Sequence, residues 1–386
     1  MKKVFLLFCL LSLPAHAFSL YDNDSLSLGL KGYYKNLFVT SKRAATGNWY
    51  WGDINRLRTE WDTRFFKNFS TKLIWDNEVI GGGYVNTEEF AQRQTQRNEP
   101  YLNLDYEISR KKNFFYGQQF YRAYAKLETE PVTLTVGRQK VDWGVMRLVS
   151  PADLFTPLAL FGVEPEERVG VDAINLSWAI TPTLKLNPAY TLNSNFDRSR
   201  TGARLTKTVG HFDLSLLGGR FLKDTVVGAD ISGDIGNAGI RGEFLYDRAA
   251  IENHFIQLAL GADYGFQNGL TVALEYFMNG QFFLSNPATD PVTGNIVFRE
   301  TANQIKTVKT QFISLQAKYD LTPLWVLRME NIVDLEGAST FLRPETKYSL
   351  FSWMDFSVGA LLPFGKTGGE FSAIPKLYYA QVQLFF

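Results

Sequence analysis

The chain is short of the residues that metal and redox chemistry require: in 386 residues it has one cysteine, Cys9, and three histidines. Cys9 falls within an N-terminal leader, so the mature chain is expected to form neither a disulfide nor a thiolate metal site. His211 and His254 stand alone, without the spacing of a metal pair or a Ser/Asn context for a barrel hydrolase. No Cys-x-x-Cys-His haem site occurs, and Gly81-Gly82-Gly83 lacks the Lys-Ser/Thr of a phosphate loop. The expectation is therefore no enzyme, no catalytic or metal residues and no cofactor. Long apolar runs are missing as well. After the leader no stretch approaches 18 uncharged apolar residues, which excludes a helical membrane span. Charge of one sign is also missing: without Lys2 and Lys3 the chain has 38 Lys and Arg against 39 Asp and Glu. Nothing in that balance points to nucleic acid.

The leader itself has three parts. Lys2 and Lys3 form a basic start, Val4 to Leu13 an apolar run, and Ala15-His16-Ala17 a small-x-small cleavage site. Phe8 before Cys9 does not fit a lipoprotein box. Residues 1–17 are thus expected to be a removed signal peptide and 18–386 a single exported domain.

What is abundant is aromatic and alternating. There are 31 Phe and 18 Tyr, with no shift of composition along the chain. From Asn55 to Phe65 the residues Arg56, Arg58, Glu60, Asp62 and Arg64 alternate with Leu57, Thr59, Trp61, Thr63 and Phe65. A single strand of this kind would suit a soluble sandwich. The pattern recurs, however, in Leu26 to Phe38, Thr71 to Val79, Arg122 to Thr129, Ile174 to Ile180, Ile256 to Phe266, Leu270 to Asn279, Ile313 to Tyr319 and Tyr378 to Phe386. Strands of roughly ten residues are barrel-length, and in lipid only a closed sheet satisfies their backbone groups. Slipping the Arg56 to Arg64 strand by one would turn three Arg toward hydrocarbon at about 2–4 kcal/mol each. The charged face is therefore expected to meet water inside a cylinder.

Aromatics sit beside short turns: Phe65, Phe66 and Phe69 around Lys67-Asn68, Trp178 before Thr181-Pro182-Thr183, Tyr264 and Phe266 before Gln267-Asn268-Gly269, and Tyr319 and Trp325 around Leu321-Thr322-Pro323. That placement suits an interfacial girdle. Eight short periplasmic turns and nine longer extracellular loops, near 41–53, 81–117, 144–170, 194–201, 221–225, 247–252, 280–303, 335–339 and 363–372, join 18 strands. The count ranges from 16 to 20, because Tyr101 to Glu107 alternates like a strand but breaks up-down parity. The fold expected is all-β, a transmembrane antiparallel up-and-down barrel wide enough for an aqueous passage. It is placed in the outer membrane.

The alternating Tyr378, Ala380, Val382, Leu384 and terminal Phe386 resemble the last-strand signature of proteins handed to the outer-membrane assembly machinery, which makes that machinery an expected partner. A second resemblance lies in VGRQKVDWG from Val136 to Gly144, the Ser150-Pro151-Ala152-Asp153 loop and VEPEERVGVD from Val163 to Asp172, with DYGFQNGLTVALEYFMNG from Asp263 to Gly280. These segments look like porin-like outer-membrane barrels, including uncharacterised families and distant relatives of alginate-export channels. The resemblance implies an 18-strand passive channel for small hydrophilic solutes, with the third outer loop, 144–170, folded into the lumen. Arg147, Asp153, Glu164, Glu166, Glu167 and Arg168 would then stand at a constriction. Arg56, Arg58, Glu60, Asp62, Arg64, Arg122, Lys126 and Arg138 are the expected wall residues. Opposed charges would set ion preference, although EPEER as a solvated outer loop, or as a contact for ions bridging lipopolysaccharide, stays open. So does a barrel that sheathes a trans-envelope partner, such as a multihaem cytochrome conduit or an anionic polysaccharide exit. Lipid-facing and protomer-facing surfaces look alike in sequence, so a lone barrel and a homotrimer both remain.

Overall fold

The computed structural model describes residues 18–386 except 24, 44–46, 88–89, 92, 95–100, 157–162, 165–166, 169, 194–197, 249–253, 281–287, 290–295, 298–306, 308 and 373. The leader, 1–17, lies outside the described residues, as does Glu166. The strands are β1 (Phe18–Asp22), β2 (Leu26–Lys42), β3 (Trp49–Phe65), β4 (Phe69–Gly82), β5 (Asp105–Lys111), β6 (Phe114–Thr129), β7 (Val132–Gln139), β8 (Val171–Thr181), β9 (Leu184–Thr191), β10 (Arg200–Val209) and β11 (Phe212–Phe221). They continue with β12 (Asp224–Ile235), β13 (Ala238–Arg248), β14 (Phe255–Gly265), β15 (Leu270–Asn279), β16 (Ala288–Thr289), β17 (Ile296–Val297), β18 (Gln311–Thr322), β19 (Trp325–Asp334), β20 (Ser339–Phe351), β21 (Met354–Gly365) and β22 (Leu377–Phe385). β16 and β17 pair only with each other.

The other twenty form one antiparallel sheet, and eighteen of them close it. Closure runs through β22, which pairs with β2 from Tyr33↔Phe385 to Ser41↔Leu377. Phe386 exchanges two backbone hydrogen bonds with Gly32, at 2.8 and 3.0 Å. A Cβ on Gly32 would lie 2.8 Å from the Phe386 ring and 2.3 Å from the Arg58 carbonyl, so only glycine lets the chain end seat there.

Two strands supplement the wall without altering the count. β1 pairs with Ser27–Leu30 of β2, on the edge that β22 leaves open below Phe386. β5 pairs with the upper part of β6, on the edge left free because β7 is only eight residues long. This resolves the parity conflict around Tyr101 to Glu107: the strand there is real, begins at Asp105, and lengthens the wall over β7 instead of adding a hairpin to the barrel.

Strands joined by short turns meet within a few residues of the expected positions, with Gly210 and Gly236 at φ 61° filling turn sites that L side chains resist. The outer wall carries Leu216, Val227, Leu260 and Leu274, each half exposed or more, as a lipid-facing surface requires. Phe66, Trp178, Phe266 and Trp325 stand exposed at the short-turn end, the position of a girdle.

Candidate functional site

The inner face has two tiers. Toward the short turns it is charged, as alternation demands: Lys31, Glu60, Asp62, Lys72, Arg64 and Lys126 point inward, and most are paired. Lys72 Nζ lies 3.1 Å from Asp62 and 3.5 Å from Glu60, and Lys126 Nζ lies 2.5 Å from Glu128. Across the barrel, Arg204 pairs with Asp230, Arg328 with Glu345 and Lys347 with Asp355. Arg64 is exposed. Toward the long loops the inner face is mixed, with Gln257, Asn279 and Asp334 buried beside apolar clusters. Leu37, Val39, Ile54, Ile80 and Phe115 are buried with Val85 and Phe90. The charged inner face expected from the alternation is thus found in the lower tier, while packed clusters occupy much of the upper one.

What buries the upper tier is chiefly the connection from β7 to β8. β7 ends at Gln139, and the described residues that follow, Val141 to Phe155 and then Val163, Glu164, Glu167 and Arg168, turn into the cylinder. Val141, Trp143, Leu154 and Phe155 pack against Ala189, Leu217, Phe221, Val226 and Leu245 on β9, β11, β12 and β13. Trp143 and Phe155 meet edge to face at 4.8 Å, and Phe155 and Phe221 at 5.2 Å. Met146, Leu148 and Val149 pack against Ala259, Phe277 and Phe312 on β14, β15 and β18.

Two inward carboxylates satisfy the backbone of this turn. Glu243 on β13 accepts from the Val145 (2.6 Å), Met146 (3.1 Å) and Ala152 (2.8 Å) amides and from Ser150 Oγ. Glu275 on β15 accepts from the Arg147 (2.6 Å) and Leu148 (3.1 Å) amides. A turn outside regular structure carries unpaired N–H groups that are costly to bury, and these two side chains supply the missing acceptors. Arg147 reaches Asp263 at 2.7 Å while its side chain stays 43% exposed.

The far end of the loop is held on the opposite wall. β13 stands nine strands round the closed sheet from β3, half the circumference. On β2 and β3, Lys35, Arg56 and Arg58 point inward, and the β4 carboxylates face the two arginines in register, Glu78 opposite Arg56 and Asp76 opposite Arg58. Arg58 grips Asp76 bidentately at 2.6 and 2.7 Å. Glu164 receives Lys35 at 2.5 Å and Arg56 at 3.0 Å, and Glu167 receives Arg58 at 2.9 Å. Burial by itself would raise both glutamates. The Arg56 and Lys35 charges hold Glu164 below the usual carboxylate range, and Arg56, Arg58 and Lys35 hold Glu167 down at about 2.

Between the two anchorages the loop is braced on itself and on β6. Arg168 binds Asp153 and lies 3.2 Å from Asp142. Its carbonyl accepts Arg122 at 2.8 Å. A bulge in β6 opposite Ile74 and Trp75 brings Tyr121 and Arg122 together toward the lumen, where both the Arg58 and the Arg122 guanidinium lie 4.0 Å from the Tyr121 ring.

Of the wall residues singled out from sequence, the fold gathers Arg56, Arg58 and Arg122 beside the loop and leaves Glu60, Asp62, Arg64 and Lys126 in the lower tier. Arg138 stands apart. It is 1% exposed, enclosed by Asp172, Asp105 and the Leu102 carbonyl under the segment that enters β5. Sequence reasoning did not single out Lys35, Tyr33, Tyr121, Asp76, Glu78 or Glu243. Lys35 and Glu78 could have been found from the same parity that marks Arg56. The bulge that exposes Tyr121 has no such signal. Among the described residues no three His, Cys, Asp or Glu side chains converge as a metal site would require.

No family model and no curated protein matches the sequence. Solved structures do share its fold. OccK11 (OpdR) of Pseudomonas aeruginosa superposes with a TM-score of 0.57 at 11% identity, over 93% of this chain and 95% of that one. OpdK of the same organism, solved with vanillate, gives 0.55 at 12%, over 93% and 98%. The outer membrane protein OprD gives 0.55 at 12%, over 96% and 95%. With its apolar outside, charged lower interior and eighteen closed strands, the chain has the fold of these outer-membrane porin barrels.

Proposed function

We propose that the protein is a passive channel for small hydrophilic solutes, and that residues 140–170 form its constriction. The observation carrying this is the loop held at both walls, by Glu243 and Glu275 on one side and by Lys35, Arg56 and Arg58 on the other. Such double anchorage narrows the bore while leaving the charged lower tier wet. Lumen charges are paired almost throughout, so the passage favours neither ion sign strongly. The structural likeness to OpdK, solved with vanillate, makes an aromatic carboxylate a natural probe. The docked loop weighs against the sheath alternative, because it occupies the interior that an enclosed partner would need.

Liposome swelling tests the reading. Vesicles containing the purified protein should swell in isosmotic arabinose and in sodium vanillate at rates falling with solute size. Vesicles that respond to neither, while gel mobility shows a folded barrel, would contradict it.

A further inference from the structure

The loop of residues 140–170 leaves the wall after β7 and rejoins it at β8, so its two ends form a neck. Arg138 is paired with Asp172 and Gln139 with Val171, the last two couples of that ladder. By register Arg138 shares a face with Val136, and Asp172 with Ile174, both exposed on the outer wall. Charge on that face is unfavourable at membrane depth. Arg138 and Asp172 are nevertheless each only 1% exposed, so something covers them.

The cover comes from a different connection, residues 101–105, which lead into β5. Arg138 Nε donates to Asp172 at 3.1 Å, Nη1 to Asp105 at 3.1 Å and Nη2 to the Leu102 carbonyl at 2.5 Å. A planar guanidinium fixes all three directions at once. The Leu102 amide in turn donates to the Asp172 carboxylate at 2.6 Å. This stretch is itself fastened to the wall, because the Phe120 amide donates to the Leu104 carbonyl at 2.9 Å and Asp105 pairs with Gln119. From the other side, a Cβ on Gly170 would lie 2.9 Å from the Arg138 side chain and 2.7 Å from the Arg122 guanidinium, which holds the Arg168 carbonyl at 2.8 Å. The neck is thus packed between an arginine on each side.

We propose that residues 101–105 are a clasp on the neck of the loop, and that Leu102, Asp105, Arg138 and Asp172 position the constriction without lining it. This rests on the reading of residues 140–170 as the constriction. Ladder ends are where strands fray, and a loop whose neck can spread has more freedom to lose on docking. Holding the neck shut lowers that entropic cost, so the Glu243 and Glu164 anchorages keep the loop across the bore. The clasp lies in the connection between β4 and β5, so a segment remote in sequence from the loop sets how firmly the loop docks.

Thiol accessibility tests the clasp separately from the pore, since the sole native cysteine, Cys9, lies in the leader. M146C places a thiol at a docked position that is 9% exposed. With a charged methanethiosulfonate, its labelling should be several-fold faster in D105A than in the native background, with unchanged heat-dependent gel mobility, and D105E should restore the slow rate. Unit conductance should rise in D105A and return in D105E. Equal labelling in folded D105A and native backgrounds, or labelling in D105E as fast as in D105A, would overturn the clasp. Faster labelling with unchanged conductance would support the clasp and contradict the constriction reading instead. If D105A fails to fold, L102P decides: it touches neither charge and removes only the amide that Asp172 accepts, so its labelling should also be faster, and a native rate would overturn the proposal.

Discussion

Arg56 and Arg58 show how much one alternating strand determines. Their spacing places both guanidiniums inside, and the β4 register supplies Glu78 and Asp76 opposite them. What the spacing cannot convey is that Glu164 and Glu167 arrive more than a hundred positions later to share the same cations. Replacing both glutamates with glutamine leaves buried positive charge undercompensated, which is costly when a buried pair is broken. E164Q/E167Q should therefore loosen the loop and shift the reversal potential in a KCl gradient toward anion preference. An unchanged potential would mean the pair does not face the ion path. The pH dependence follows in sign. The folded Glu167 carboxyl, at about 2, lies below its ordinary value of 4.5, so the anchorage it provides is complete above about pH 4.5 and is lost as pH falls toward 2. Wild-type conductance should accordingly be flat from pH 7 to about pH 5.

Elements were legible to different degrees, for physical reasons. Strand periodicity and turn chemistry are local, so the strands and all eight short turns appear where expected. The length of β7 is not local: it ends because its chain is drawn inward by distant packing, and β5 fills the edge of β6 that this leaves. Leu37, Val39, Ile54 and Phe115 likewise sit at inward positions that alternation assigns to water, and are apolar because a loop covers them. The seam is the most sensitive element. At Gly32 a side chain would meet backbone and ring at once. G32V should lower barrel stability by about 1–3 kcal/mol, the usual range for overpacking, read as a lower urea midpoint for loss of the folded gel band. An unchanged midpoint would show that Phe386 closes the barrel without close packing on β2.

At the scale of the molecule, the barrel is a wall whose lower half is lined with paired charge and whose upper half encloses packed clusters. Sequence reading reached the cylinder and its strand number because lipid forces closure and parity, and the resemblance to porin-like barrels implied a loop that enters it. It did not reach the two-tiered interior, which depends on where the β7–β8 loop, the segment after β4 and the segment before β22 come to rest. Single-channel recording on the native protein and on a variant in which residues 145–168 are replaced by a short Gly-Ser linker tests that loop most directly. The docked loop predicts small unit steps for the native protein and steps several-fold larger for the variant; equal steps from two folded barrels would contradict it.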